Sequence, residues 1–185
     1  MTLNADNVRS ALTGAVYVAP TGSTQPTTAT EAWDAAFVDL GYLSEDGITE
    51  AHSTDWNIVR AWQNRAIVRQ LLTGSDATFA FTLIETTRAG LEVYHVGSTV
   101  TTEGPSNYRL EIQEPSEQYQ VWGIDVVDGD DHIRIIIPDG TVSETGDVTY
   151  QNGETIGYPI TITARPDSEG VVAVKLFDSA TWASA

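Results

Sequence analysis

The stretch WGIDVVDGDDHIRIII, residues 122–137, decides the fold class of this 185-residue chain. Large apolar residues recur at every second position on both sides of its polar centre: Trp122, Ile124, Val126, Ile133, Ile135 and Ile137. Successive side chains of a β-strand point to opposite faces, so this period predicts two strands. The Asp128-Gly129 pair between them is a strong turn signal. The stretch therefore predicts two short strands joined by a tight turn.

The same period appears in other short runs, which lie at residues 14–19, 37–43, 78–84, 108–112, 160–163 and 172–176. Turn-forming pairs separate several of the runs, at Asp46-Gly47, Asp139-Gly140 and Asn152-Gly153. A Pro- and Thr-rich stretch at residues 20–30 is typical of an exposed loop. Many short strands at regular spacing predict a mainly β protein with a β-sandwich or barrel-like fold.

One segment, residues 85–96, changes to apolar steps of three and four and predicts the single α-helix. Thr86 or Thr87 is a suitable N-cap, and Gly97 a suitable stop.

Residues 48–72 predict a long early hairpin. Trp56, Ile58, Arg60 and Trp62 lie at every second position, which is a strand period, and residues 63–65 offer a turn. A short helix across residues 58–71 remains the alternative.

The domain organisation expected from these patterns is simple. A single β-sandwich domain at residues 14–178 would contain the hairpin at 48–72 and the helix at 85–96. An N-terminal arm at 1–13 and a C-terminal tail at 179–185 would flank it. The chain has no cysteine, no apolar stretch near the ~20 residues that a membrane helix needs, and no signal-peptide pattern. We therefore expect synthesis in the cytoplasm and no membrane insertion.

The charge balance excludes one class of function. Nine basic and 26 acidic residues give a net charge of −17, with a single lysine, Lys175. Nucleic-acid binding depends on basic side chains that neutralise phosphates, so tight binding to DNA or RNA is not expected.

Catalytic and metal-binding patterns are also lacking. The sequence has no nucleophile elbow, zinc-protease motif or phosphate-binding loop. His52, His95 and His132 share no motif, and the DGDD cluster at residues 128–131 lacks the spacing of a calcium loop, so a solvated turn explains it better. We expect no enzymatic activity, no cofactor and no metal.

Five tryptophans leave a second class open, because aromatic residues on a β-sandwich can form a sugar-binding platform. They are Trp33, Trp56, Trp62, Trp122 and Trp182. Aromatic anchors are equally typical of protein–protein interfaces. A carbohydrate-binding or adhesin module therefore stands as the alternative function, and an enzyme as a third.

Several stretches, in sequence order, resemble the major tail proteins (tail tube proteins) of long-tailed phages, with those of phages infecting actinobacteria most similar. The stretches are LTGAVYVA at 12–19, FVDLGYLSEDGIT at 37–49, AWQN at 61–64, TFAFTLIE at 78–85 and YPITITARPD at 158–167. The resemblance implies a structural subunit of the virion that forms six-subunit rings stacked into a tube. Its partners would be copies of itself, and tape measure, tail terminator and distal tail proteins. DNA would pass through the tube without tight binding.

The resemblance also implies which segment joins neighbouring rings. The hairpin would contact the neighbouring ring, and we expect the contact residues to be Trp56, Arg60, Trp62, Arg65 and Arg69. Residues 56–75 hold three arginines and no acid, whereas residues 103–154 hold twelve acids and two arginines, so the two surfaces are complementary. In the strand at 78–84, Phe79, Phe81 and Leu83 would face the core, and the small residues Thr78, Ala80 and Thr82 the lumen.

Overall fold

The computed structural model describes residues 7–179 and shows a mainly β protein with one α-helix, which confirms the predicted fold class. The strands are β1 (Thr13–Pro20), β2 (Val38–Asp39), β3 (Leu43–Arg60), β4 (Ile67–Leu83), β5 (Val100–Gly104), β6 (Asn107–Leu110), β7 (Gln120–Asp128), β8 (Asp131–Thr145), β9 (Tyr158–Ala164) and β10 (Val174–Asp178). The helix α1 spans Arg88–Tyr94.

One large antiparallel sheet runs in the order β2-β1-β7-β8-β9-β4-β3, and β10 also pairs with β8. β8 connects two parts of this sheet: residues 132–136 pair with β10, and residues 140–145 pair with β9. A bulge lies between these two segments of β8, because Trp122 is opposite Ile137 but Gln120 is opposite Gly140. A bulge bends a strand and increases its twist. β8 thus runs continuously from one part of the sheet to the other.

The core lies between these parts of the sheet. Val16 of β1 and Trp122 of β7 belong to the same buried cluster as Phe79 of β4 and Ile160 of β9, and each is at most 1% exposed. β1 and β4 are not neighbours in the sheet, so the shared core shows that the sheet folds over itself in the manner of a sandwich. Val93 of α1 also packs into this cluster.

The outer side of β1, β7 and β8 is covered by the segment before β2. Phe37 is buried there with Ala19, Val121 and Ile136, and Trp33 packs against them. Residues 20–30 are therefore less exposed than the sequence indicates: Ala29 is buried, and the Thr28 carbonyl accepts a hydrogen bond from Arg134.

Three local predictions are corrected. Asp46-Gly47 does not end a strand, because it lies in a bulge of β3 where Gly47 has a φ of 67°. Asp139-Gly140 continues β8, and a side chain at Gly140 would come within 2.7 Å of Trp122. The helix is shorter than residues 85–96, since the Thr87 side chain caps it by accepting from the Gly90 amide at 3.0 Å.

The early hairpin is confirmed, and the alternative helix at residues 58–71 is wrong. β3 and β4 pair from Leu43–Leu83 to Arg60–Ile67, and a short 3-10 turn at Gln63–Arg65 connects them.

Candidate assembly surfaces

The hairpin extends beyond the sheet as a two-stranded ribbon. β9 pairs with β4 over Ala77–Leu83, so residues 53–76, named the ribbon from here on, pair with no other strand in the part of the chain that the structure describes. The eight residues from Ser53 to Arg60 correspond to a projection of roughly 25 Å. An isolated two-stranded hairpin is marginally stable in water, so a ribbon of this length is typical of a segment that packs on another surface.

The ribbon exposes an unusual amount of apolar surface. Trp62 is 96% exposed and Trp56 55% exposed, and six more large apolar residues are exposed, namely Ile58, Val59, Ile67, Val68, Leu71 and Leu72. Paired residues share a face, so Trp56 and Leu72 lie on one face and Val59 lies on the other. Contiguous exposed apolar surface of this kind marks an interaction site.

The ribbon also carries the basic residues that lack an acidic partner. The six basic side chains outside it form ion pairs within 4.0 Å: Arg9, Arg88, Arg109, Arg134, Arg165 and Lys175. Within residues 7–179, no carboxylate lies within that distance of Arg60, Arg65 or Arg69. Arg60 donates to the Arg65 carbonyl at 3.3 Å, which fixes the turn and leaves both charges uncompensated.

An ion-pair cluster anchors the base of the ribbon. The Lys175 ammonium of β10 lies 2.6 Å from the Glu50 carboxylate of β3, and His52 Nε2 lies 2.6 Å from the other Glu50 oxygen. Burial alone would raise the pKa of Glu50, but hydrogen bonds and charge from Lys175 and His52 outweigh it and hold the pKa below its ordinary value. The cluster therefore connects the first ribbon strand to the C-terminal strand.

The predicted lumen residues lie together on one face of the sheet. Thr78, Ala80 and Thr82 are half-buried and alternate with the buried Phe79, Phe81 and Leu83. Their paired neighbours on β3 and β9 are also small and uncharged, and they are Thr49, Ala51, Pro159, Thr161 and Thr163. We name this surface the threonine face.

A buried ion pair holds the segment before β2 against the sheet. Arg134 donates to both oxygens of Asp125, and also to the carbonyls of Thr28 (3.2 Å) and Glu31 (2.6 Å). The Trp33 indole donates to Asp125 at 2.7 Å, and the Arg134 guanidinium lies 4.2 Å from the Trp33 ring centroid. This cluster was not predicted from the sequence. The one available signal was an arginine in the middle of an apolar strand.

Two candidates for metal binding and catalysis, the DGDD cluster and His52, have structural roles. Asp128 accepts from the Ser10 amide and Asp131 pairs with Arg9, so the DGDD turn holds the chain that precedes β1. His52 is paired with Glu50 at the base of the ribbon. Among residues 7–179, no group of three or more His, Asp or Glu side chains is placed to hold a metal ion. None of the helices in that part of the chain is long and apolar enough to cross a membrane.

The tryptophans separate into two groups. Trp122 is fully buried, and Trp33 is half-buried under the segment before β2. Trp56 and Trp62 are exposed, and both belong to the ribbon or its turn. Trp182 lies outside the described residues. An exposed aromatic ribbon with apolar neighbours and unpaired arginines is typical of a protein–protein interface.

The β-sandwich presents a projecting ribbon with exposed apolar residues, which is a surface suited to contact with other proteins. The chain belongs to the phage tail tube protein family, whose model matches residues 1–178. It is therefore a structural component of the phage tail, located in the virion, and a structural family is in line with a non-enzymatic role. No curated protein matches the chain.

Proposed function

We propose that this chain is the tube subunit of a long-tailed phage, and that copies of it form six-subunit rings that stack into the conduit for DNA. The observation that carries this proposal is the ribbon. It is a long two-stranded projection with exposed apolar residues, and it holds the basic side chains that have no carboxylate partner among residues 7–179.

The ribbon is the contact between subunits in this proposal, through Trp56, Arg60, Trp62, Arg65 and Arg69. Trp and Arg are the residues most enriched at the energetic centres of interfaces. Burying Trp56 and Trp62 against another copy would supply the hydrophobic stabilisation that the ribbon lacks alone. The arginines would fix the register, because charge complementarity favours specificity and the rate of encounter.

The threonine face lines the channel in this proposal. Small uncharged side chains at Thr78, Ala80 and Thr82 offer DNA phosphates no cation to bind. The net charge of −17 acts in the same direction, since a strongly negative wall repels DNA. DNA would therefore pass along the tube without tight binding.

A tube with two ends also requires other tail proteins as partners. We propose contacts with tape measure, tail terminator and distal tail proteins, and a phage that infects actinobacteria. The host proposal is supported by the resemblance in sequence and by eight arginines against one lysine, which fits a GC-rich genome.

A size measurement combined with a binding assay tests the function. On raising its concentration, the purified protein is expected to form rings or long polymers in analytical ultracentrifugation and to pass through glycan columns without retention. A small particle at every concentration that is retained on a glycan column would instead support the adhesin alternative.

A further inference from the structure

A groove on the opposite half of the molecule from the ribbon is lined by apolar side chains and by two carboxylates. We infer that this groove, between residues 112–117 and the second half of β8, binds the ribbon of a second copy of the chain. The inference rests on the proposed function and names the surface on which the ribbon docks.

The groove arises where two strands separate. β7 and β8 pair from Asp128–Asp131 to Gln120–Gly140. Beyond that last pair, residues 111–119 form no strand, while β8 continues to Thr145. The space between them is a cavity of about 660 Å³, lined by residues 94–96 at the end of α1, by most of residues 112–117 and by residues 141–145.

One wall of the groove is an open strand edge. Residues 140–145 of β8 pair with β9 on one side, and within residues 7–179 no strand pairs with residues 141–145 on the other side. Unpaired backbone groups along an edge recruit another strand. Such a strand gains main-chain hydrogen bonds, while its side chains occupy the pockets beside the edge.

The lining of the groove fits the side chains of the ribbon. Tyr94, Ile112 and Val142 provide apolar surface, and Ile112 is 69% exposed. Glu117 and Glu144 also line the groove, and neither forms an ion pair among the described residues. Glu144 is paired with Thr161, so it lies where the groove meets the threonine face. His95 also lines the groove, and burial lowers its pKa, which disfavours the charged form of the ring.

The sheet register shows that the ribbon cannot reach the groove of its own chain. One row of paired residues across the sheet contains Gly140, Ala164, Ala77 and His52. From that row the ribbon leaves in one direction, through Asp76 and Ser53. Residues 141–145 run in the other direction, towards the row that contains Phe81. A ribbon that binds in this groove must therefore come from a second copy of the chain.

This arrangement also explains how the contact would repeat. A ribbon at one end and a groove towards the other make a head-to-tail contact between unlike surfaces. Such contacts do not close on themselves in a pair, and they propagate into rings or filaments. A copy with an occupied groove still presents its own ribbon to the next copy.

Charge reversal tests the inference. Glu117→Lys with Glu144→Lys places like charges against the ribbon arginines, and juxtaposed like charges cost several kcal/mol. We expect the critical concentration for assembly to rise at least about tenfold, which corresponds to ~1.4 kcal/mol. The matched control is Asp130→Lys with Glu154→Lys, which makes the same charge change and should assemble as the wild type does. Both residues are exposed, and neither forms an ion pair with another described residue.

A rescue experiment makes the pairing specific. Combining the groove reversal with Arg60→Glu, Arg65→Glu and Arg69→Glu restores opposite charges and should recover assembly. If the lysine variant does not fold, Glu117→Gln with Glu144→Gln serves instead, and its assembly should lose most of the salt dependence of the wild type.

The outcomes separate this inference from the proposed function. If a folded groove variant assembles normally, or if the rescue fails, the groove is not the docking site. The proposed function as a tube subunit still stands in that case, provided that the wild-type protein forms tubes. If Glu117→Gln with Glu144→Gln is used instead, assembly that is as sensitive to salt as that of the wild type also shows that the groove is not the docking site. A wild-type protein that forms no polymer under any condition contradicts the proposed function itself.

Discussion

The guanidinium group of Arg134 binds both carboxylate oxygens of Asp125, with Nε 2.7 Å from Oδ1 and Nη2 3.1 Å from Oδ2. The Arg134 side chain is 6% exposed, so its charge depends on this partner and on the carbonyls of the segment before β2. Gly123 lies beside this pair, where a side chain would overlap the Trp33 ring. The ion pair therefore determines how the segment packs on β7 and β8.

The first prediction concerns this pair. Asp125→Ala leaves the buried Arg134 charge without a carboxylate, and breaking a buried pair typically costs about 3 kcal/mol or more. Urea unfolding should show that loss in the free energy of unfolding. The control is Asp130→Ala, an exposed turn residue, for which we expect a change within about 0.5 kcal/mol. Equal stability of the two variants would show that the ion pair does not hold the segment.

The outline of the fold was predictable because alternation is a local signal. Phe79, Phe81 and Leu83 alternate with small residues, and burial follows that alternation. The ribbon was predictable for the same reason, since Trp56, Ile58 and Arg60 keep the period of two into the turn. Local periodicity needs no knowledge of distant contacts.

The errors arose where tertiary contacts override local turn chemistry. Asp139-Gly140 has the residues of a turn, yet it stays in β8 because the Trp122 ring occupies the space beside Gly140. The contact between Trp33 and Asp125 joins residues 92 positions apart, and no local pattern indicates it. The groove depends on where β7 and β8 separate, which is a matter of register and not of composition.

The second prediction concerns Glu50 at the base of the ribbon. The pKa of Glu50 is lower in the folded chain than in the unfolded chain. The Glu50 carboxylate therefore stabilises the fold at pH values above its unfolded pKa, and this stabilisation is lost as the pH falls through its folded pKa. Glu50→Gln should therefore lower the free energy of unfolding by about 0.5–1 kcal/mol at about pH 7, a modest value because the pair is partly exposed. The difference should shrink below about pH 4.

Urea unfolding of both proteins at the two pH values measures this effect. Arg88→Gln, which removes one exposed ion pair on α1, controls for a general loss of surface charge. A Glu50→Gln effect that is the same at both pH values would contradict the role of the carboxylate charge.

The third prediction is that the ribbon becomes ordered on assembly. Amides of residues 56–72 pair only within the ribbon and should exchange rapidly in the monomer, because local opening exposes them to water. In the polymer the same amides should be protected, while those of Ile160 and Ile162 in the core should be protected in both states. Hydrogen exchange with mass spectrometry measures this. Equal protection of the ribbon in monomer and polymer would mean that it does not form the contact.

The fourth prediction concerns the channel. Thr78→Lys with Thr82→Lys should leave tubes intact but slow DNA ejection, because lysines on the threonine face would bind phosphates. Ejection rates of virions carrying the variant measure the effect, and Thr78→Ser with Thr82→Ser is the control. Normal ejection from normally assembled virions would place these residues away from the lumen.

The fifth prediction concerns the ribbon arginines. Arg60→Glu, Arg65→Glu and Arg69→Glu should give a folded monomer that does not polymerise, whereas changing the same three residues to Lys keeps the charge and should preserve assembly in part. Raising the salt concentration from about 0.1 M to about 1 M should weaken wild-type assembly, because the screening length falls from ~10 Å to ~3 Å. Sedimentation of each protein across a concentration series measures these effects.

Negative-stain electron microscopy of the purified wild-type protein beside the triple glutamate variant shows whether the ribbon arginines join copies of the chain into tubes. We expect long tubes with a central channel for the wild type and isolated particles for the variant. Tubes of equal length from both proteins, or no tubes from the wild type at any concentration, would contradict this expectation.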